Sequence, residues 1–201
     1  MKLLVVCSLV LLLSCNNKAN GDQKKKDTLP VITQAASENR VPAIDTVSWI
    51  DDFKNFRDAV YQRQKQKVKT YFSFPLKEEQ NELWYLVKGE NATGKTSFTE
   101  KDFDVYYDKI FPPAFVKTLL RIKSSDLYSK GEAESPELKE GDTQFYRMFA
   151  TFDKAENILS LNLAYNIYYR DAEEWGEHNA IYSFLVLPNG RLRFQRVNLA
   201  G

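Results

Sequence analysis

Cysteine and histidine are nearly missing from this chain of 201 residues. Both cysteines, Cys7 and Cys15, fall at the start, so the rest of the chain can form no disulfide. A single histidine, His178, excludes a His/Cys zinc set. Long apolar runs are missing too. Leu3 to Leu13 is about eleven residues, or roughly 16 Å of helix, while a membrane span needs about 20. No charge sign dominates: the formal net charge is +1, which excludes the basic footprint of a nucleic-acid binder. Aromatic residues do not occur before Trp49. Whatever core the chain builds lies after that point.

The start of the chain carries a compact pattern. Lys2 precedes the Leu3–Leu13 run, and Leu12-Leu13-Ser14-Cys15 closes it. A basic residue, a short apolar stretch and a small residue read as a secretory signal over residues 1–14. The closing four residues resemble the lipobox of bacterial lipoproteins. That resemblance implies cleavage before Cys15, a lipid on its sulfur and an acyl group on its new amine. Two or more acyl chains hold a protein stably to a bilayer, whereas one does so only marginally. Asn16 is not the aspartate that retains some lipoproteins at the inner membrane, so the resemblance favours the outer membrane.

Residues 15–46 are expected to form a lipidated tether. Asn16 to Thr28 is polar, with Lys24-Lys25-Lys26 inside it, and Pro30 and Pro42 interrupt the remainder. Such a segment buries too little apolar surface to offset its ordering entropy. Asp27-Thr28-Leu29 and Asp45-Thr46-Val47 resemble acceptor sites of bacterial O-glycosylation.

Residues 47–201 are expected to form a single α+β domain. Ser48 to Asp51 has capping-box spacing, and Phe53, Phe56 and Val60 come after it at helical intervals. A second short helix carries Val68, Tyr71 and Phe72, and Pro75 ends it near Ser73. Leu83–Lys88 alternates like a strand. Thr99 to Asp102 is another capping-box spacing, with Phe103, Tyr106, Tyr107 and Ile110 behind it. Pro112-Pro113 suits the first turn of a continuation to Ile122. Residues 123 to about 142 are polar and read as a long mobile loop. Four strands complete the chain, near Thr143–Phe152, Ile158–Arg170, Asn179–Leu187 and Arg191–Asn198. In the second, Leu159, Leu161, Leu163, Tyr165, Ile167 and Tyr169 alternate with more polar residues, the mark of a half-buried antiparallel strand. Asn189-Gly190 is the turn between the last two.

Helices followed by consecutive strands must cover one face of the later sheet to bury their aromatic stripes. This order resembles the nuclear transport factor 2-like superfamily, over about residues 48–198, which implies helices packed on a curved antiparallel sheet, a cone-shaped domain able to hold a small apolar ligand. The lipobox, the tether, Phe74-Pro75-Leu76 and the Asp102-Phe103 to Ile110-Phe111 helix together resemble envelope lipoproteins of Gram-negative bacteria. That resemblance implies a location and no activity.

Several residue groups have the makings of chemistry. Gly89 to Thr96 fits the phosphate-loop pattern, but the helix signal at Thr99 comes too late for its amides to face a phosphate. No nucleotide is therefore expected. Asp104 and Asp108 share a helix face opposite the aromatic stripe, so they are expected to face water. The tyrosines Tyr85, Tyr106, Tyr107 and Tyr165 read as core and sheet residues with polar tips. Asp171, Glu173, Glu174, Glu177 and His178 surround Trp175 in a segment that reads as a solvated hairpin loop, without the ligand spacing of a calcium site. Tyr168, Tyr169 and Trp175 offer an aromatic interaction surface. The sequence thus points to a lipid-anchored cell-envelope protein with a binding domain. No catalytic, metal or cofactor residues are assigned. The expected partners are the membrane, through Cys15, and a small apolar ligand or an envelope protein. The alternatives are a pocket enzyme of isomerase, dehydratase or hydrolase type and a structural component of an envelope assembly.

Overall fold

The computed structural model describes residues 48–77, 82–92 and 97–201. Cys15, the tether with its Asp-Thr motifs, and Thr93–Thr96 of the phosphate-loop pattern lie outside them. None of the described helices is long and apolar enough to cross a membrane.

The architecture is helices against an antiparallel sheet. Among the described residues, six α-helices come first: α1 (Trp49–Tyr61), α2 (Lys65–Lys69), α3 (Leu83–Lys88), α4 (Glu100–Ile110), α5 (Pro113–Leu119) and α6 (Ser124–Lys130). Two short strands, β1 (Leu76–Lys77) and β2 (Ser97–Phe98), pair with each other among them. The main sheet has six strands: β3 (Glu132–Glu134), β4 (Leu138–Glu140), β5 (Gln144–Asp153), β6 (Ile158–Tyr169), β7 (Glu174–Val186) and β8 (Leu192–Ala200). Strands β5 to β8 are consecutive antiparallel neighbours, and both β3 and β4 pair with the free side of β5.

One face of this sheet is covered. Met148, Leu161, Leu163, Ala180, Tyr182, Phe184 and Phe194 are buried there, under the helices. The aromatic stripe of α1 supplies Phe53 and Phe56, and α4 supplies Phe103 and Tyr107, all buried. Phe111 and Phe115 close the layer over Tyr182, whose hydroxyl donates to the Ile110 carbonyl at 2.6 Å. The capping box at Thr99 forms as spaced: the Asp102 amide donates to the Thr99 hydroxyl and the Thr99 amide to the Asp102 carboxylate.

Other elements differ from the sequence expectation. Leu83–Lys88 is a helix, not a strand. Its buried residues are Leu83, Trp84 and Val87, a single helical face, and six residues are too few for alternation to separate the two periods. Ser48 stands at the N-cap of α1 without a side-chain bond, and Asp51 pairs instead with Lys54 at 2.8 Å. The second helix stops at Lys69, and the Tyr71 carbonyl beyond it is taken by the Phe194 amide of β8 at 2.7 Å. The Glu82 amide donates to the Val197 carbonyl of the same strand at 2.8 Å, so this edge of the sheet is covered by backbone. Residues 123–142 are not a long loop. They hold α6, closed by Gly131 at φ +80°, and then the edge strands β3 and β4. Edge strands face water on much of their surface, which is why their composition reads as loop. The acidic segment after Arg170 is not a long hairpin loop either, because β7 already begins at Glu174.

Three buried tyrosines tie the helix layer down. Burial pushes the Tyr107 phenol up to about 12, and it raises those of Tyr71 and Tyr182 further. A raised phenol pKa means that the fold favours the neutral form. Its stabilisation is complete below the unfolded value near ~10 and is lost as pH climbs through the folded value. Stability is therefore expected to fall from about pH 10 through pH 12. Tyrosinate absorbance at these sites should appear together with loss of the far-ultraviolet signal. Ionisation of all tyrosines in a chain that keeps that signal would contradict it.

Candidate functional site

The end of the sheet formed by the β6–β7 turn carries aromatic residues on both faces. Cross-strand partners share a face, and successive residues alternate between faces. Tyr168 pairs with Trp175, and Phe145 with Asn166, which pairs in turn with Glu177. These five side chains therefore share the face turned away from the helices. Tyr169 is one residue on from Tyr168 and falls on the opposite face, with His178. The sequence grouping of Tyr168, Tyr169 and Trp175 thus divides: the structure brings Tyr168 and Trp175 together and sets Tyr169 apart.

On the outer face, Trp175 is the centre. Its ring lies 5.3 Å from that of Phe145 and 5.2 Å from that of Tyr168, tilted by about 50° to each. Trp175 remains 51% exposed, which is high for the largest side chain. A cleft of about 440 Å³ opens beside it, lined by Glu137, Phe145, Asn166, Trp175 and Glu177. Lys139, directly opposite Phe145 on β4, holds its ammonium 4.9 Å from the centre of the Phe145 ring. Glu137 meets Arg147 at 3.9 Å. The site joins flat apolar faces to carboxylates and an amide, so it can hold a ligand with an apolar surface and hydrogen-bonding or cationic groups. It lacks a nucleophile poised by a base. Sequence reasoning does not single out Phe145 or Glu137. Phe145 lies far from Trp175 along the chain, and only pairing the strands in register would bring it to notice.

On the helix-side face, the Tyr169 hydroxyl is 2.7 Å from His178 Nε2, and the Tyr165 ring stacks on the imidazole at 5.2 Å. Gly176 makes this possible. A Cβ there would stand 2.5 Å from the Tyr169 ring, so the ring lies across the bare backbone of the neighbouring strand. Burial raises the phenols of Tyr165 and Tyr146, the latter also under the influence of Glu140. The carboxylates of α4 sit elsewhere. Asp104 accepts from Lys69 at 2.9 Å, and Asp108 pairs with Arg63, both at the exposed side of the helix. Tyr85 is exposed, Tyr107 is core, and Tyr106 packs on Trp84 and Phe98. Gly89–Ala92 forms a single tight helical turn directly after α3, so no strand leads into the phosphate-loop pattern. Among the described residues, no group of three or more His, Cys, Asp or Glu side chains is arranged to hold a metal ion.

A wider cleft, about 720 Å³, opens between α6, β3 and β5 around Arg121, Lys123, Ser135 and Arg147. Its charges are of both signs and partly paired, with Lys130–Asp126 and Arg147–Glu134 each at 3.7 Å. The buried Ser135 hydroxyl there accepts from the Met148 amide at 3.0 Å, which makes it a fastening of the sheet edge.

No protein-family profile matches the chain, and no curated protein matches it. Among solved structures, the chain is similar to one from Shewanella frigidimarina, provisionally assigned as a ketosteroid isomerase. The identity is 13%, the match covers 79% of this chain and 98% of that one, and the TM-score is 0.30. A superposition that loose carries no argument about activity.

Proposed function

We propose that this is a lipid-anchored protein of the cell envelope, held to the outer membrane through Cys15, whose domain binds a ligand or partner at the outer face of its sheet. The observation that carries the binding reading is the cluster of Phe145, Tyr168 and half-exposed Trp175 beside an open cleft. Large aromatic residues in such a position are overrepresented at recognition surfaces, where they supply contact area at small entropic cost. The anchor rests on Leu12-Leu13-Ser14-Cys15. The order of helices before four consecutive antiparallel strands supports the nuclear transport factor 2-like arrangement. A catalytic reading would need an ionisable group in an enclosed concavity. Asp104 and Asp108 do not meet that need, since ion pairs hold them at the surface.

The test is capture of partners by the full chain from its own envelope after crosslinking on intact cells. Tyr168→Ala and Trp175→Ala should each abolish capture while leaving the far-ultraviolet spectrum unchanged. Wild-type capture by both variants would sink the assignment of this surface. Cys15→Ala should release the protein from the membrane fraction, and retention there would remove the anchor.

A further inference from the structure

We infer that the Trp175 cleft is a site for a small organic cation bearing a quaternary ammonium group. This inference rests on the outer-face binding reading and specifies the ligand.

Two aromatic rings, Phe145 and Trp175, line the cleft, with Tyr168 beside Trp175 at 5.2 Å, and the face of an aromatic ring carries negative electrostatic character. Two carboxylates, Glu137 and Glu177, line it with Trp175, and Glu137 also meets Arg147 at 3.9 Å, which leaves Glu177 as the main acidic contact. Aromatic faces and carboxylates attract the same kind of ligand, a weakly hydrated cation with an apolar shell. An anion would meet repulsion from both. The platform also shows its preference directly, because one ammonium is already on it. Lys139 lies over the Phe145 ring at 4.9 Å. Its occupation leaves the exposed Trp175 ring open. The volume of about 440 Å³ suits a small molecule.

Titration calorimetry of the full chain in detergent tests this, with tetramethylammonium and choline as probes. The neutral isostere of choline, 3,3-dimethylbutanol, and an N-acetylglucosamine oligomer serve as comparators. Both cations should bind, and the neutral isostere should bind roughly tenfold more weakly. Binding should weaken with added salt. Trp175→Ala should weaken it by roughly tenfold or more, and Glu177→Gln by a smaller factor. Lys139→Met should strengthen it, since it removes the competing ammonium from Phe145. A purely structural role for the rings would not predict that gain. Equal binding of choline and its isostere would overturn the ammonium assignment, as would binding of the sugar oligomer alone. In either case the outer-face surface would stand. No binding of any probe, with partner capture still lost in Trp175→Ala, would overturn the cation and leave a protein surface. Persisting capture in both alanine variants would instead remove the surface itself.

Discussion

Asp52→Ala should lower the stability of the domain by about 2–4 kcal/mol. Asp52 is 3% exposed, on α1, and one carboxylate oxygen accepts from the Leu192 amide at 2.8 Å. The other lies 3.2 Å from Arg191 Nε. Alanine would leave the Leu192 amide buried without a partner, at the point where β8 begins. Removing one member of a buried pair is far more damaging than the pair's own net contribution. The Arg191 side chain is 43% exposed and can turn to water, so solvent screening reduces the Coulombic part. The orphaned amide then dominates. Asp52→Asn keeps an oxygen for Leu192 and should lose only about 1 kcal/mol. Urea denaturation of the three proteins separates the two contributions. A change below about 1 kcal/mol in the alanine variant would mean that β8 is held by its strand pairing alone. Equal losses in both variants would assign the effect to charge.

The second large effect belongs to Phe56→Ala, for which about 3–5 kcal/mol is expected. Phe56 has no exposed surface and meets three rings edge-on: Tyr71 at 5.1 Å, Phe111 at 6.0 Å and Phe184 at 4.9 Å. Those partners come from three other parts of the chain, so the cavity cannot close by moving one side chain. Edge-on pairs add about 0.5–1.5 kcal/mol each beyond buried area, which places this site at the upper end of the range. Phe56→Leu should recover much of the loss. Phe149→Ala, on the exposed outer face, should stay within about 0.5 kcal/mol of wild type. The check is a shift of the denaturation midpoint at unchanged slope. If Phe56→Ala resembled Phe149→Ala, the helix layer would not be packed on the sheet as described.

Some elements are plain in the residues. The start of α4 is dictated by Thr99 and Asp102 alone, because both bonds of the box close within one turn. The long strands β5, β6 and β8 are legible from alternation, since a half-buried strand repeats every second residue. The beginning of β7 is hidden, because Glu174, Glu177 and His178 put polar residues on both faces and Gly176 interrupts the pattern. Residues 123–142 are hidden for a related reason: β3 and β4 are strands by virtue of pairing with β5, and their own side chains show no apolar face. In the candidate site, Trp175 and Tyr168 stand out as aromatic residues in a polar stretch. Tyr169 belongs with them by sequence distance, and the two-residue period of the strand separates it.

The residues by themselves determined what is settled within a few positions: the absence of thiols after Cys15, the helix cap at Thr99, the turn at Asn189-Gly190 and the strand period. Tertiary structure decided which faces meet. Asp52 and Leu192 are 140 residues apart, and Phe145 reaches Trp175 only through the register of β5, β6 and β7. Local hydrogen bonds are dictated by adjacent residues. The partner of a strand, the cover of a sheet edge and the company of an exposed tryptophan depend on burying the whole aromatic layer at once.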